Sequence, residues 1–325
     1  MTIRLIAADI GGTKTLLTAV ASDGRHGPAR RYENHCWPDF QSVLADFLAG
    51  LSPEGGQPVS PLVLSLSVAG PVTDGQCHMT NLDWHLDAVS LAAISGIPTV
   101  VMQNDLAATA RALPSLARSG ALQPLNGLDA DLSQPVAVLS LGTGLGEALL
   151  LPEGGSHRVV SSEGGHKAFA PFDVRSAAML HAALSRGQQI SREHWISGSG
   201  LPALHAGLHP GATSLTPESL VEAALAAPSG IESDTLGFLA NALLAEAGDV
   251  ALQYWSSGGV VIAGGLAQAI APWLRRPGVL DRFSDKTQYR DWLSSRAITL
   301  CTSTEAALQG AIASGLSNLR TQSSP

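Results

Sequence analysis

The sequence predicts an α/β protein of two related halves, and three observations predict it. Short apolar runs suited to strands alternate with helix-like stretches through the first third of the chain. A strand, a glycine-rich turn containing a threonine and a second strand occur twice, over residues 4–22 and again over 136–151. At 325 residues the chain exceeds one ordinary compact core and fits two domains or one large α/β unit.

Taken in order, residues 4–10 and 16–22 read as strands joined by GGTKT, and 30–34 as a third. A helix is predicted over 40–51, followed by a Pro/Gly-rich loop through 61. The unbroken apolar or small-residue run 62–68 has the pattern of a strand buried on both faces. It ends in the turn signal AGPV at 69–72. MTNLDW at 79–84 follows, and a helix over 88–94 leads into TVVMQNDLA at 99–107. Here a strand runs directly into Asn104 and Asp105, then into a helix predicted over 106–113 and closed by Pro114. Residues 115–135 read as mixed loop and helix. The second half opens with a strand at 136–141, the turn GTGLG at 142–146 and a returning strand at 147–151. After SSEGGHKAFAP at 161–171 the pattern turns helical over 172–184, 201–206, 217–226 and, as the longest candidate, 231–255. A short strand at 260–262 lies between glycine turns, 298–301 is the last strand, and 304–319 a closing helix before a tail predicted to be disordered.

Composition narrows the function. The chain is 45% hydrophobic but 5% aromatic, so its core is Ala, Leu, Val and Ile. With 19 basic and 27 acidic residues it carries a formal charge of -8 without long runs, which argues against nucleic-acid binding. Small anions stay open, because backbone N–H groups can hold them without net positive charge. Cys36, Cys77 and Cys301 are odd in number and far apart, suggesting neither disulfides nor a Cys-x-x-Cys metal site. No run approaches 18 uncharged apolar residues and no signal-like segment opens the chain, so no membrane association and a cytoplasmic location are expected.

Four groups of residues could carry chemistry. A carboxylate at the mouth of a parallel strand, as at Asp105, sits where open α/β sheets place ligands, although Asn and Asp are also preferred helix caps. Gly11, Gly12 and Thr13 can turn their N–H groups toward a phosphate, and Asp9 at the strand end could hold a magnesium ion through water. An ordinary hairpin turn is the other reading. Gly142, Thr143 and Gly144 form a second such turn, so two turns could grip one triphosphate. Neither is a Walker loop, since no Gly-Lys-Ser/Thr follows, nor a dinucleotide fingerprint, since each leads into a strand. Glu163 and His166, flanking Gly164 and Gly165, can point at one small polar ligand; a surface turn is the alternative.

The ordered set DIGGTKT, SVAGPV, MTNLDW, QNDLAA, LGTGLG, EGGH, ISREHWISGSGL and GGVVIAGG resembles the bacterial glucokinase family, within the sugar kinase, Hsp70 and actin superfamily. The resemblance runs from Asp9 to about Gly310. It implies two actin-like (ribonuclease H-like) α/β domains with a sugar and ATP cleft between them: a small one over 1–108 joined by the helix 304–320, and a large one over 109–303. It implies ATP-dependent phosphorylation of the glucose 6-hydroxyl, with Asp105 as catalytic base. Asn81, Asn104, Asp105, Glu163, His166 and Glu193 would bind glucose. Asp9, Gly11, Gly12 and Thr13 match the first phosphate motif, Gly142, Thr143 and Gly144 the second, and Gly264 and Gly265 the adenosine motif. ATP is the implied co-substrate with Mg²⁺. No zinc is expected, because KAFAPFDV replaces the cysteine-rich stretch that follows the histidine in related repressor and kinase proteins. A homodimer is the expected state. A kinase for mannose, fructose or an N-acetylhexosamine, and a catalytically silent sugar sensor, are the alternatives.

Overall fold

The computed structural model describes residues 3–51, 60–79 and 82–322. The chain divides into two compact units, 1–115 with 305–325, and 116–304. The first unit begins with β1 (Ile3–Ile10), β2 (Lys14–Ala21), β3 (Arg30–Glu33) and α1 (Phe40–Leu51). It continues through β4 (Val63–Val68), a hairpin of β5 (Gln76–His78) and β6 (His85–Asp87), α2 (Ala88–Ser95), β7 (Thr99–Asn104) and α3 (Asp105–Arg118), whose last residues belong to the second unit.

The main sheet has the order β3-β2-β1-β4-β7. Strands β1, β4 and β7 run parallel, with Ile10 opposite Val68 and Val68 opposite Asn104. Their C-terminal ends therefore finish at one level, and the residues beyond each strand share one edge of the sheet. Every residue of β4 is buried, which explains its unbroken apolar and small-residue sequence. Phe40, Val43, Leu44 and Phe47 of α1 pack on one face with Ile6, Ile10 and Leu64. Leu308, Ala311 and Ile312 of the C-terminal helix pack on the other with Leu5, Ala7 and Val63.

In α3 the structure corrects a sequence expectation. Pro114 does not close the helix but lies inside it, and the helix continues to Arg118. An interior proline costs about 3 kcal/mol. Burial of Ala110, Ala112, Leu113 and Leu116 favours continuation, and the Ser115 hydroxyl donates to the Ala112 carbonyl at 2.8 Å.

The second unit is built on β8 (Leu122–Pro124), β9 (Val136–Leu141), β10 (Leu145–Glu153) and β11 (Ser156–Ser162). Helices α4 (Val174–Ser185), α5 (Arg192–Trp195), α6 (Leu201–Leu208), α7 (Pro217–Ala226) and α8 (Ile231–Tyr254) follow. The unit ends with β12 (Val260–Ala263), the short helices α9 (Gly265–Ala269), α10 (Ala271–Leu274), α11 (Asp281–Ser284) and α12 (Arg290–Ser294), and β13 (Ile298–Cys301). The C-terminal helix α13 (Ala306–Gln322) belongs to the first unit. Strand order is β11-β10-β9-β12-β13-β8. The polar edge strands β8 and β11 are absent from the sequence reading, because they lack an apolar run.

Helix α8 is the only one among the described residues long and apolar enough to cross a membrane, and 78% of its apolar window is buried. Its buried residues extend over most of its length, which marks it as the core helix of this unit.

Candidate active site

In the first unit, the candidate residues gather at the C-terminal ends of β1, β4 and β7. Asn104 and Asp105 divide the duties that the sequence left open. Asn104 Oδ1 accepts from the N–H groups of Leu106 at 2.9 Å and Ala107 at 3.4 Å, so Asn104 is the main cap of α3. Its Nδ2 donates to the Gly70 carbonyl at 3.1 Å, anchoring it to the turn after β4. Asp105 Oδ1 also accepts from the Leu106 N–H, at 2.8 Å. Burial raises the Asp105 carboxyl above its ordinary value, and the backbone N–H of Leu106 opposes the rise.

Asp9 lies in the same unit at the end of β1, where the Ser67 hydroxyl of β4 donates to its Oδ1 at 2.9 Å. Burial pushes its pKa up to about 6; Ser67 pulls it down, Asp105 adds to the rise, and Lys14 counters it. Two carboxylates thus sense each other at one strand edge, an arrangement that a cation would relieve.

The turn through Gly11, Gly12 and Thr13 is closed by the Gly11 N–H donating to the Lys14 carbonyl at 3.0 Å. Asn34, which the sequence did not single out as a candidate, holds it from behind. Its Nδ2 donates to the Gly11 carbonyl at 2.8 Å, its Oδ1 accepts from Thr15 Oγ1 at 2.8 Å, and its N–H donates to the Thr13 carbonyl at 2.9 Å. Asn34 is the last residue of the strand predicted over 30–34, and only the tertiary fold reveals its partners. Asn34→Ala strands buried polar groups, so a loss of about 2 kcal/mol is expected in denaturant unfolding. Asn81 lies outside the described residues.

In the second unit, Gly142–Gly144 joins β9 to β10. The Gly142 N–H donates to the Gly144 carbonyl at 3.0 Å. Gly198 and Ser199 support this turn by donating to the Gly142 carbonyl at 2.8 Å and the Thr143 carbonyl at 3.0 Å. The turn borders a cavity of about 650 Å³. Thr143, Ser199 and Gly265 line it, with Val221 and Leu266 as apolar contacts and Glu222 as a charged one. Gly264 precedes α9 with φ of +100°, and a Cβ there would overlap the Leu141 carbonyl at the end of β9. Glycine is required on both counts.

Glu163, His166 and Glu193 converge in the same unit. His166 Nε2 lies 3.8 Å from Glu163 Oε2, and Nδ1 lies 3.9 Å from Glu193 Oε1. Both separations exceed a hydrogen bond, and a bridging hydroxyl would connect either pair. Glu193 Oε2 accepts from the Leu145 N–H at 2.8 Å, just beyond the Gly142–Gly144 turn. The segments carrying His166 and Glu193 are paired by the Arg192 N–H donating to the Lys167 carbonyl at 2.9 Å, and by Phe169 edge-on to Trp195 with centroids 4.8 Å apart.

The first unit thus holds a glycine–threonine turn and a strand-end carboxylate pair, and the second a glycine–threonine turn and an acid–histidine cluster. Comparison with known proteins identifies the family. A family model described as Glucokinase matches residues 6–317. A glucokinase of Synechocystis sp. is 30% identical, over 96% of this chain and 97% of its own length. The crystal structure of a glucokinase from an Antarctic psychrotroph superposes with a TM-score of 0.84 at 28% identity, covering 96% of this chain and 98% of that one. A glucokinase of the ROK family from Streptomyces griseus, solved with glucose and AMPPNP, shares the fold at TM-score 0.63 and 23% identity, over 96% and 98% of the two chains. A family match of this extent, over a chain with these strand ends and turns, leads to one conclusion: the chain belongs to the glucokinase family.

Proposed function

We propose that the chain transfers the γ-phosphate of ATP to the 6-hydroxyl of glucose. The observation that carries this reading is the division of labour at the head of α3, where Asn104 caps the helix and Asp105 is left with a carboxyl raised by burial. Such a group is a better base than a solvated Asp, whose reference pKa is about 3.9. Asp105 would accept the hydroxyl proton as the sugar oxygen attacks phosphorus. Asn104, Glu163, His166 and Glu193, with Asn81, would bind sugar hydroxyls, which are costly to leave unpaired in a closed site.

The phosphates would rest on the N–H groups of Gly12 and Thr13 and of Thr143 and Gly144, and the nucleoside in the cavity bordered by Thr143 and Gly265. Mg²⁺ suits this donor set. Among the described residues no cluster of three His, Cys, Asp or Glu could hold a metal alone. Magnesium typically takes one or two carboxylates together with phosphates and waters. Asp9, whose ionisation burial opposes, would hold it through water, and the ion would neutralise charge on the phosphates. The reading includes two actin-like domains closing a cleft on sugar and ATP, which limits transfer to water. It also includes a homodimer in the cytoplasm, with the product feeding glycolysis.

The test is a matrix of donors (ATP, ADP, polyphosphate) against sugars (glucose, mannose, fructose, N-acetylglucosamine) with purified protein. ATP with glucose should give the highest kcat/KM. A higher value for another sugar would reassign the substrate. Absence of transfer with every pair, alongside measurable glucose binding, would favour the silent sensor.

A further inference from the structure

Beneath the Glu163, His166 and Glu193 cluster lies a set of charged side chains that the proposed chemistry does not use. Glu246 projects from α8, among Leu243, Leu244, Ala247 and Val250, and is 3% exposed. It pairs with Arg192 and lies 3.8 Å from Lys167 Nζ. Glu147 of β10, fully buried, lies 3.0 Å from the same ammonium. Arg192 extends the set to Asp249 at 3.8 Å, and Asp249 to Lys286 at 2.6 Å.

The chain positions of the two cations give the set its meaning. Lys167 directly follows His166, and Arg192 directly precedes Glu193. Glu246 therefore ties together the two segments that carry the sugar-facing side chains. Glu147 fixes the third point, since a Cβ on Gly164 would overlap its carboxylate, so the turn between Glu163 and His166 rests directly on it.

Burying charge is expensive, so a buried pair is weak evidence of a stabilising role. Burial raises the Glu246 carboxyl, Arg192 opposes this, and the adjacent Glu147 adds to the rise. The alternative of two apolar side chains would cost less to bury but would not fix the direction of either segment. We infer that Glu246, acting through Arg192 and Lys167, is a positioning residue that holds His166 and Glu193 at the spacing needed to grip a sugar. The inference rests on the reading of those two residues as sugar ligands.

The test measures glucose binding without nucleotide, by calorimetry, together with glucose and ATP KM values, kcat and thermal midpoints. Glu246→Gln and Lys167→Met should each weaken glucose binding about tenfold, as expected for ligands displaced by a fraction of an ångström. The ATP KM should stay within about twofold. Lys167→Met leaves Glu147 buried without a cation, so it is also made together with Glu147→Gln, and that combination reports even if Glu246→Gln fails to fold. The double variant of Glu246→Gln with Lys167→Met should bind glucose no more weakly than the weaker single one, because the residues act as one unit. Lowered thermal midpoints with unchanged glucose binding would overturn the inference, as would losses that multiply in the double variant. Failure of the unaltered protein to bind glucose would instead overturn the sugar-site reading itself.

Discussion

Asp105→Asn should abolish turnover while leaving the sugar site formed. The expected fall in kcat is about 10²–10⁴-fold, the range that a positioned general base supplies. Glucose affinity should change by no more than about threefold, because the amide keeps an oxygen for the same contacts. Two features of the first unit make this separation clean. The cap of α3 belongs mainly to Asn104, so the helix does not depend on the Asp105 charge. The Asp105 oxygen that accepts from the Leu106 N–H at 2.8 Å has an equivalent in asparagine. The substitution also removes a negative charge that disfavours ionisation of Asp9. The variant should therefore be at least as stable as the parent, and a thermal melt beside the kinetic assay checks this. A near-normal kcat would reassign the base.

Asn104→Ala should behave in the opposite way, which is why the two adjacent residues are distinguishable by experiment. It removes the cap and the tie to Gly70 together, so stability and geometry suffer while the carboxylate survives.

The legible parts of this chain are those governed by local pattern. The buried strand Val63–Val68 shows in its unbroken run, and Phe40–Leu51 in its helical spacing. The two glycine–threonine turns and the EGGH cluster are contiguous and could be read directly. What escaped the sequence depends on partners distant in the chain. Asn34 matters because the fold carries it behind Gly11, and nothing in RRYENHC announces that contact. Glu147 and Glu246 sit within apolar stretches of a strand and a helix, where a carboxylate looks like a patterning exception until Lys167 and Arg192 are seen beside it. Ser156–Ser162 carries mostly polar residues on an edge strand, so its period was too weak to register. Pro114 misled for a different reason: the local rule is sound, but packing of α3 outweighs it.

Gly310→Ala should disable the enzyme from outside the site. Gly310 lies on α13, and a Cβ there would overlap the backbone carbonyl of Ala108 on α3. The Gln103 side chain also donates to the Gly310 carbonyl at 3.3 Å, so the end of β7 and the start of α3 both register against this point of α13. A backbone carbonyl cannot rotate aside as a side chain can, so either α3 or α13 must move. Overpacking of this kind costs about 1–3 kcal/mol, and a displacement near 1 Å at the catalytic group can cost about a hundredfold in rate. The expected result is a thermal midpoint lower by several degrees and a kcat reduced about ten- to a hundredfold. Gly315→Ala supplies the control on the same helix. Its Cβ would meet side-chain atoms of Leu5 rather than a backbone carbonyl, and Leu5 packs on the face of the sheet rather than at a strand end. That variant should lose some stability but keep kcat within about twofold. If both variants lost stability equally and neither lost kcat, the position of Asp105 would not depend on how closely α13 approaches α3.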